Sequence, residues 1–559
     1  MTKTVGYQLA ESLAAHDIDM IFCVPGESYL GLTDALSEFP DIRLVVCRHE
    51  GGAGFMAAAD GRMRDGRAGV VLVSRGPGAT NAMISLHTAF HDATPLVVLI
   101  GHVERKDVGR LALQEQNYYK LLADVTKGVF EVSQPIQASE VIARAFHLAE
   151  SGTPGPVAVI LPEDIFDLPA EGPIVKPRVR PQPGPRSEDL DQLAEMLANA
   201  ERPLVLVGGA MANRGEQSLK DLTRLAEAWT LPISPTHRRP HLFDADHPNY
   251  GGYMGIRVPK VLLDEMKKSD LMILLGERMS DSISQSYTFP AAPDPQLPLV
   301  QVWPDAGAIG RVWRVDLPLA ADPPAVIKAL LARNAPEASE GRKRWVNGLN
   351  SIHRELLAPT WDKMEDGVNF AAVCAEAAKV VPADAAITSD AGNFSSFLHR
   401  YFPFKQTQMF LASNVGAMGS AVPMAVAAAL RRKGKRAVAF VGDGGILMTG
   451  NEIATAMREG VNPVIILSDN NCYGTIGMHH EGRYPGRAYD RAIRLVNPDF
   501  VAWAQSFGAA GICVEKEEDV APALAKAFAI TDRPVVVHVK SSTIQASAWR
   551  KRTMPLAAE

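Results

Sequence analysis

The sequence predicts an α/β protein made of three doubly wound parallel-sheet domains. Short apolar runs alternate along the whole chain with amphipathic or alanine-rich stretches, the pattern of parallel strands joined by helical crossovers. A proline-dense break and a polar break divide this alternation into thirds. The length, 559 residues, suits several domains of roughly 150–200 residues each.

The first unit, expected over 1–168, contains the strand candidates MIFCVPG, IRLVVC, AGVVLVS, PLVVLIG and PVAVILP. LPAEGPIVKPRVRPQPGPR, 168–186, follows; proline removes backbone donors and favours extended chain, which makes this a surface linker. A central unit over 187–335 carries PLVLVGG and SDLMILLGE, and RNAPEASEGRK separates it from the last unit, 350–559. There AAITSD, RAVAFVGDGG, NPVIILSDN and RPVVVHVKSS read as strands. No short tandem repeat is evident.

Composition narrows the function classes. Hydrophobic residues make up 47% and charged residues 21%, with a net charge of −6 and no basic block, so nucleic acid is not an expected partner. The five cysteines are scattered without metal-ligand spacing, which reads as reduced thiols in a reducing compartment. The first residues lack the layout of a signal peptide, and no apolar run approaches the roughly 20 residues of a membrane span. A cytoplasmic protein with no membrane association is the expectation.

The chemistry concentrates in FVGDGGILMTGNEIATAMREGVNPVIILSDNNCYGTIG, 440–477. AVAFV reads as a buried strand, GDGG as the turn leaving it, NEIATAMREG as the crossover helix and PVIILS as the next strand. A right-handed crossover sets such strands side by side, so their carboxyl ends open onto one crevice. Asp443 and Asn470 can then meet. Gly442, Gly444 and Gly445 let backbone approach a phosphate, and a helix start favours negative charge. Oxygen ligands beside a diphosphate suit Mg²⁺, with Asp443, the Asn470 amide and the backbone carbonyl of Cys472 as the protein share. Taken singly, a GDG is an ordinary turn and an asparagine after a strand an ordinary loop residue; together on a βαβ frame they carry much more weight.

This GDG, followed by an asparagine at the next strand end, resembles the cofactor motif of thiamine diphosphate enzymes. That family includes acetolactate synthases, pyruvate and benzoylformate decarboxylases and related carboligases. The family has Asn-Asn at the metal, where this chain has SDNNCYG. Pairing Asp469 with Asn470 keeps the following Tyr473 in register; pairing Asn470 with Asn471 moves the ligand by one position. The resemblance extends to RHEGGAGFMAAADGRMR, VPGESYLGLTDAL, SRGPGATNAMISLHTAFHDATPLVVLIGHV and LQEQNYYKLLADVTKGVFEV in the first unit, and to SNVGAMGSAVPMAVAAAL and SDAGNF in the last. It implies pyrimidine-binding, central and diphosphate-binding domains in that order.

Residue by residue, the resemblance implies that Glu50 activates the cofactor, a role that burial of its carboxyl would serve. By itself Glu50 is equally a helix-start acid. Gln114 matches the glutamine of a Phe-Gln-Glu segment, with Leu113 replacing the aromatic. Pro25 and Gly26 fall in a cofactor-binding turn. Gly416 would accept from the cofactor's amino group through its carbonyl, and Met418 would fill the space under the bent molecule, a role compatible with core packing. Gly392, Asn393 and Tyr473 complete the set. The implied assembly is a homodimer or homotetramer with active sites between subunits.

Overall similarity points to an acetolactate synthase-like carboligase, taking a 2-oxo acid donor and a carbonyl acceptor. Three departures leave the reaction open. His479, in MHHEGRYPGR, stands where acetolactate synthases carry a tryptophan, as a proton-transfer group or a loop histidine. LLGERMSDSISQSYTFP lacks the Arg-Phe-Asp-Asp-Arg pattern of flavin-binding relatives, which argues against FAD. The tail after VVVHVKSS need not form a lid. The alternatives are a decarboxylase or lyase that releases its aldehyde, an FAD-linked oxidase, and a non-catalytic cofactor-binding relative.

Overall fold

The computed structural model describes residues 3–212, 214–485 and 490–552. Three parallel sheets, each flanked by helices, form the α/β architecture expected from the alternation of apolar runs. The first sheet contains β1 (Met20–Cys23), β2 (Arg43–Val46), β3 (Gly69–Ser74), β4 (Leu96–His102), β5 (Gly128–Glu131) and β6 (Pro156–Pro162) in the order β2-β1-β3-β4-β6-β5. The central sheet contains β7 (Pro203–Val207), β8 (Ile233–Pro235), β9 (Leu271–Leu275), β10 (Leu299–Trp303) and β11 (Leu317–Ala320), ordered β11-β10-β9-β7-β8. The third contains β12 (Ala386–Ser389), β13 (Met409–Ala412), β14 (Ala437–Gly442), β15 (Val464–Asp469), β16 (Ala510–Val514) and β17 (Val535–Lys540), ordered β13-β12-β14-β15-β17-β16.

The first and third sheets therefore share one topology, although no repeat is visible in the sequence. Their inner strands β4, β6 and β15 are buried at every residue. That follows from helices covering both faces and explains why these strands read as unbroken apolar runs rather than alternating ones. Residues 170–186 have no helix or strand. This stretch is nonetheless tethered, since the Val175 N–H donates to Ser139 Oγ at 2.7 Å and Arg180 Nη1 to the Gly66 carbonyl at 2.9 Å.

The two similar units pack through small residues. The helix Glu50–Arg62, EGGAGFMAAADGR, lies against the helix Ala421–Arg431, AVPMAVAAALR, and nearly every residue of both is buried. Glycine and alanine permit this close approach. Across the seam, a Cβ on Gly52 would lie 2.5 Å from Glu452 Oε1 of the third unit. Polar groups fix the register of the pair. Arg62 donates to the carbonyls of Phe410 and Ala412 at 2.9 and 3.1 Å. Arg431 reaches back to the fully buried Asp60 at 2.6 Å and to Asp19 at 2.6 and 2.7 Å. Burial pushes the Asp60 carboxyl above its usual range, and the hydrogen bond and charge of Arg431 oppose that shift.

No helix among the described residues is long and apolar enough to cross a membrane. The end of the stretch MHHEGRYPGR and the tail beyond Arg552 lie outside the described residues.

Asp60→Asn keeps the shape and one acceptor but removes the charge opposite Arg431. Differential scanning calorimetry should show the unfolding midpoint falling by roughly 5 °C. An unchanged midpoint would mean that Asp19 alone satisfies Arg431.

Candidate active site

The third sheet reverses its direction of winding between β12 and β14, and the crevice at such a switch point opens at the carboxyl ends of the strands. A cavity of about 260 Å³ lies there. β14 pairs with β15 in parallel, Gly442 opposite Ser468, so the residues that follow both strands reach the same edge. Gly442, Asp443, Gly444 and Gly445 line the cavity from one side, Asn470, Cys472 and Tyr473 from the next strand, and Gly392 and Asn393 from the loop after β12. Gly416 and Met418 enter from the loop after β13. Asn471 is exposed, adopts φ +52°, and is not among the lining residues.

Local geometry differs from the sequence reading in one respect. GDGG is not a free turn: Asp443 begins a helix, Asp443–Thr449, and the crossover continues through the 3₁₀ turn Gly450–Glu452 into Ile453–Glu459. The glycines are needed for space. A Cβ on Gly444 would lie 2.5 Å from Tyr473 Cε1 and 3.4 Å from Met418 Cε, so these three residues converge. Gly416 has φ +71°, a conformation that other residues rarely adopt, while its surroundings are open.

Three acids stand at the carboxyl ends of the three neighbouring strands, and each is satisfied differently. Asp390, fully buried, accepts from the Gly419 and Ala421 N–H groups, both at 2.7 Å, and from Ser420 Oγ at 3.0 Å. It thereby anchors the loop that carries Gly416 and Met418. Asp469 pairs with His538 Nε2 at 2.7 Å and accepts from Asn497 Nδ2 at 2.7 Å and the Asn471 N–H at 3.1 Å. Burial raises its carboxyl, but His538 and these hydrogen bonds bring it below its usual range. Asp443 accepts from the Gly444 N–H and Asn497 Nδ2, each at 2.9 Å, and among the described residues has no cation paired with it. Burial pushes it up to about 7, opposed by the Asn497 hydrogen bond and reinforced by the charge of Asp469.

A buried carboxylate without a counter-cation, an asparagine oxygen and a carbonyl on one cavity wall match the oxygen ligation of Mg²⁺. Asn470 Oδ1 accepts from the Cys472 N–H at 3.2 Å and from Cys472 Sγ at 3.5 Å, and the Cys472 carbonyl accepts from the Gly474 N–H at 2.8 Å. The glycine-lined walls leave room for a diphosphate between these groups and Gly416. Among the described residues no cluster of three or more His, Cys, Asp or Glu side chains offers a different kind of metal site.

The first-unit candidates form a separate group. Pro25 and Gly26 follow β1, Glu50 opens the helix after β2, and Gln114 lies over the turn after β3, where its carbonyl accepts from the Gly76 N–H at 3.0 Å. Glu50 is half-buried; its Oε2 accepts from Asn81 Nδ2 at 2.9 Å, and its Oε1 lies 3.4 Å from where a Cβ on Gly78 would stand. Gln114 is exposed, with φ +64°. These residues sit at strand ends equivalent to those of the third sheet, yet all residues lining the 260 Å³ cavity belong to 368–546. His479 is exposed and lines a second, adjoining cavity.

Sequence reasoning passed over Asn497, His538 and Glu452. Asn497 sits in RLVNPDF, which carries no motif, and bridges Asp443 to Asp469. Glu452, fully buried, accepts from the Arg48 N–H at 3.0 and 3.2 Å, from the His49 N–H at 3.0 Å and from Thr455 Oγ1 at 2.5 Å. It thus holds the residues directly before Glu50. Asp390 was visible within SDAGNF, but nothing local announced its anchoring role.

Comparison with known proteins agrees with this architecture along the chain. The thiamine pyrophosphate enzyme N-terminal TPP binding domain matches 3–121, the central domain 190–330, and the C-terminal TPP binding domain 390–539. The acetolactate synthase large subunit of Corynebacterium glutamicum is 30% identical over 95% of this chain and 85% of its own length. The probable acetolactate synthase large subunit of Methanocaldococcus jannaschii is 28% identical over 95% and 90%. That of Lactococcus lactis is 26% identical over 96% and 92%. Three winding sheets with a strand-end cavity define an α/β enzyme with a cofactor-sized crevice. The chain belongs to the thiamine pyrophosphate enzymes and is a thiamine diphosphate-dependent enzyme related along nearly its whole length to acetolactate synthase large subunits.

Asp390→Ala removes the acceptor of two backbone N–H groups and one hydroxyl, all buried. The protein should lose about 3 kcal/mol of stability, and hydrogen exchange at Gly419 and Ala421 should accelerate selectively. Unchanged protection there would show that packing alone holds the loop.

Proposed function

We propose that the enzyme decarboxylates a 2-oxo acid and transfers the acyl-anion equivalent to a carbonyl acceptor, using thiamine diphosphate and Mg²⁺. The observation that carries this reading is the convergence of Asp443, Asn470 and the glycine turn on one cavity with Gly416 and Met418. The bound cofactor supplies an acidic ring carbon and an electron sink for decarboxylation. Asp443, Asn470 and the Cys472 carbonyl would hold the metal, which would supply positive charge beside the diphosphate.

Gly442, Gly444 and Gly445 keep side chains clear of the phosphates. Gly392, Asn393 and Tyr473 border the same space; the Asn393 N–H is bonded to Thr475 Oγ1 at 3.0 Å, which holds that loop against the helix Gly474–Arg483. The Gly416 carbonyl and Met418 would hold the pyrimidine end of the cofactor. Glu50 would hydrogen-bond the pyrimidine nitrogen through one oxygen, with Asn81 fixing the other. Pro25 and Gly26 shape the turn beside it, and Gln114 and His479 face the reacting groups.

Glu50 and the cavity occupy different units, and the cavity lining contains no residue of the first unit. This supports a homodimer, or a tetramer built from it, in which Glu50 of one copy completes the site of another. The cytoplasm is the proposed location, and the central domain is proposed to work without FAD.

Asp443→Ala should weaken Mg²⁺-dependent binding of thiamine diphosphate at least ~100-fold, read by tryptophan fluorescence titration. Retained affinity would move the metal elsewhere. Glu50→Gln should slow deuterium exchange at the cofactor's reactive carbon by about 10²-fold or more, read by NMR, while leaving cofactor affinity intact. In the same samples ¹³C-pyruvate tests the reaction: acetolactate or acetoin formed only by wild type supports carboligation, and acetaldehyde alone supports a simple decarboxylase.

A further inference from the structure

A second cavity, of about 290 Å³, lies between the central unit and the third unit. It adjoins the cofactor cavity, since Gly392, Asn393 and Gly416 border both. Its lining chemistry is one-sided. Among the described residues no Asp or Glu side chain lines it, whereas Arg238, Arg257 and Arg400 do. Arg238 is 2% exposed; its Nη2 donates to the Asp390 carbonyl at 3.0 Å, and its Nε and Nη1 have no acceptor in the protein. A buried cation with two unmet donors is costly unless a partner arrives, and a carboxylate is the partner that fits its planar fork.

Apolar and aromatic side chains, Leu262, Leu356, Leu357, Met478, Tyr253 and Trp549, share the remaining walls with polar residues such as Ser395, Ser396 and His353. The neighbouring imidazoles of His237 and His399 add no charge at neutral pH, because burial drives both well below their ordinary range. A three-carbon acid would occupy a small part of this volume and leave its apolar walls against water. A longer apolar body would fill it and gain from burial.

We propose that this cavity is the substrate pocket, that it takes a 2-oxo acid with a large apolar side chain, aryl or long branched, and that Arg238 pairs with the carboxylate. The 2-oxo group rests on the function proposed above; the carboxylate and the apolar body are read from the cavity itself. Ile256, at the mouth and 53% exposed, controls how large a body can enter.

Calorimetry on the full-length protein, with and without thiamine diphosphate and Mg²⁺, tests the pocket with unreactive 2-hydroxy acids. 3-Phenyllactate should bind at least ~10-fold more tightly than lactate. Arg238→Met should weaken 3-phenyllactate by about 30-fold or more and change binding of the uncharged 3-phenylpropane-1,2-diol by less than about threefold. Because Arg238 is buried, Ile256→Trp provides the exposed counterpart and should cut the preference for 3-phenyllactate over lactate about tenfold. Equal affinity for the two acids, or no response to either substitution, overturns the proposal.

¹³C-phenylpyruvate then separates the two roles such an acid can take. Loss of labelled CO₂ from phenylpyruvate alone makes it the donor, and a cross-product with pyruvate that keeps its carboxylate makes it the acceptor; either supports the pocket. Tight binding with no turnover of any 2-oxo acid would sink the proposed function and leave the pocket standing. Turnover of pyruvate without any preference in binding would do the reverse.

Discussion

In a parallel sheet every strand leaves by the same edge, and that constraint organises this protein. β12, β14 and β15 are adjacent, so the acids at their carboxyl ends, Asp390, Asp443 and Asp469, are delivered to one rim. Three carboxylates so close cannot all remain ionised without compensation. Asp390 is compensated by backbone N–H groups and Asp469 by His538. Asp443 has only neutral donors. The deficit of positive charge therefore falls on the one acid of the three that lines the cavity, which is where a cation bound to a diphosphate would relieve it.

The shared topology of the first and third sheets divides the chemistry. Each presents a group of polar residues at the equivalent strand ends: glycines, Asp443 and Asn470 in one, Glu50 and Gln114 in the other. The two units are locked through alanine- and glycine-rich helices, whose small side chains bring backbone into close contact and leave no tolerance for added volume. Glu452 is the polar counterpart of that packing. It lies on the crossover that begins at Asp443, yet its carboxylate caps the backbone immediately before Glu50. Movement of either element is thus felt by the other within one chain.

The central unit has a different place in this scheme. Its sheet holds no residue of the diphosphate cavity, but Arg238, just beyond the end of β8, reaches across to the Asp390 carbonyl at the rim of the third sheet. The central domain thereby closes the second cavity beside the cofactor space.

How much of this was legible depends on the range of the interaction. The strands could be read because burial on both faces requires continuous apolar runs. Asp443 and Asn470 could be read because one crossover fixes two neighbouring strand ends. Gly416, Met418 and Glu50 came from resemblance, since their sequence surroundings alone suit a loop, a core helix and a helix start. Asn497, Glu452 and Arg238 gave no local sign: each acts on a partner outside its own motif, Glu452 on His49 some 400 positions away and Arg238 on Asp390 in another domain. By itself, then, the sequence determined the alternation of strands and helices and the residues at the ends of adjacent strands, because both follow from short-range periodicity and chain connectivity. Which acid stays uncompensated, which cations are left without partners and where the second cavity lies were decided only in the tertiary structure, because they depend on which distant side chains the packing of the three units brings within hydrogen-bonding reach.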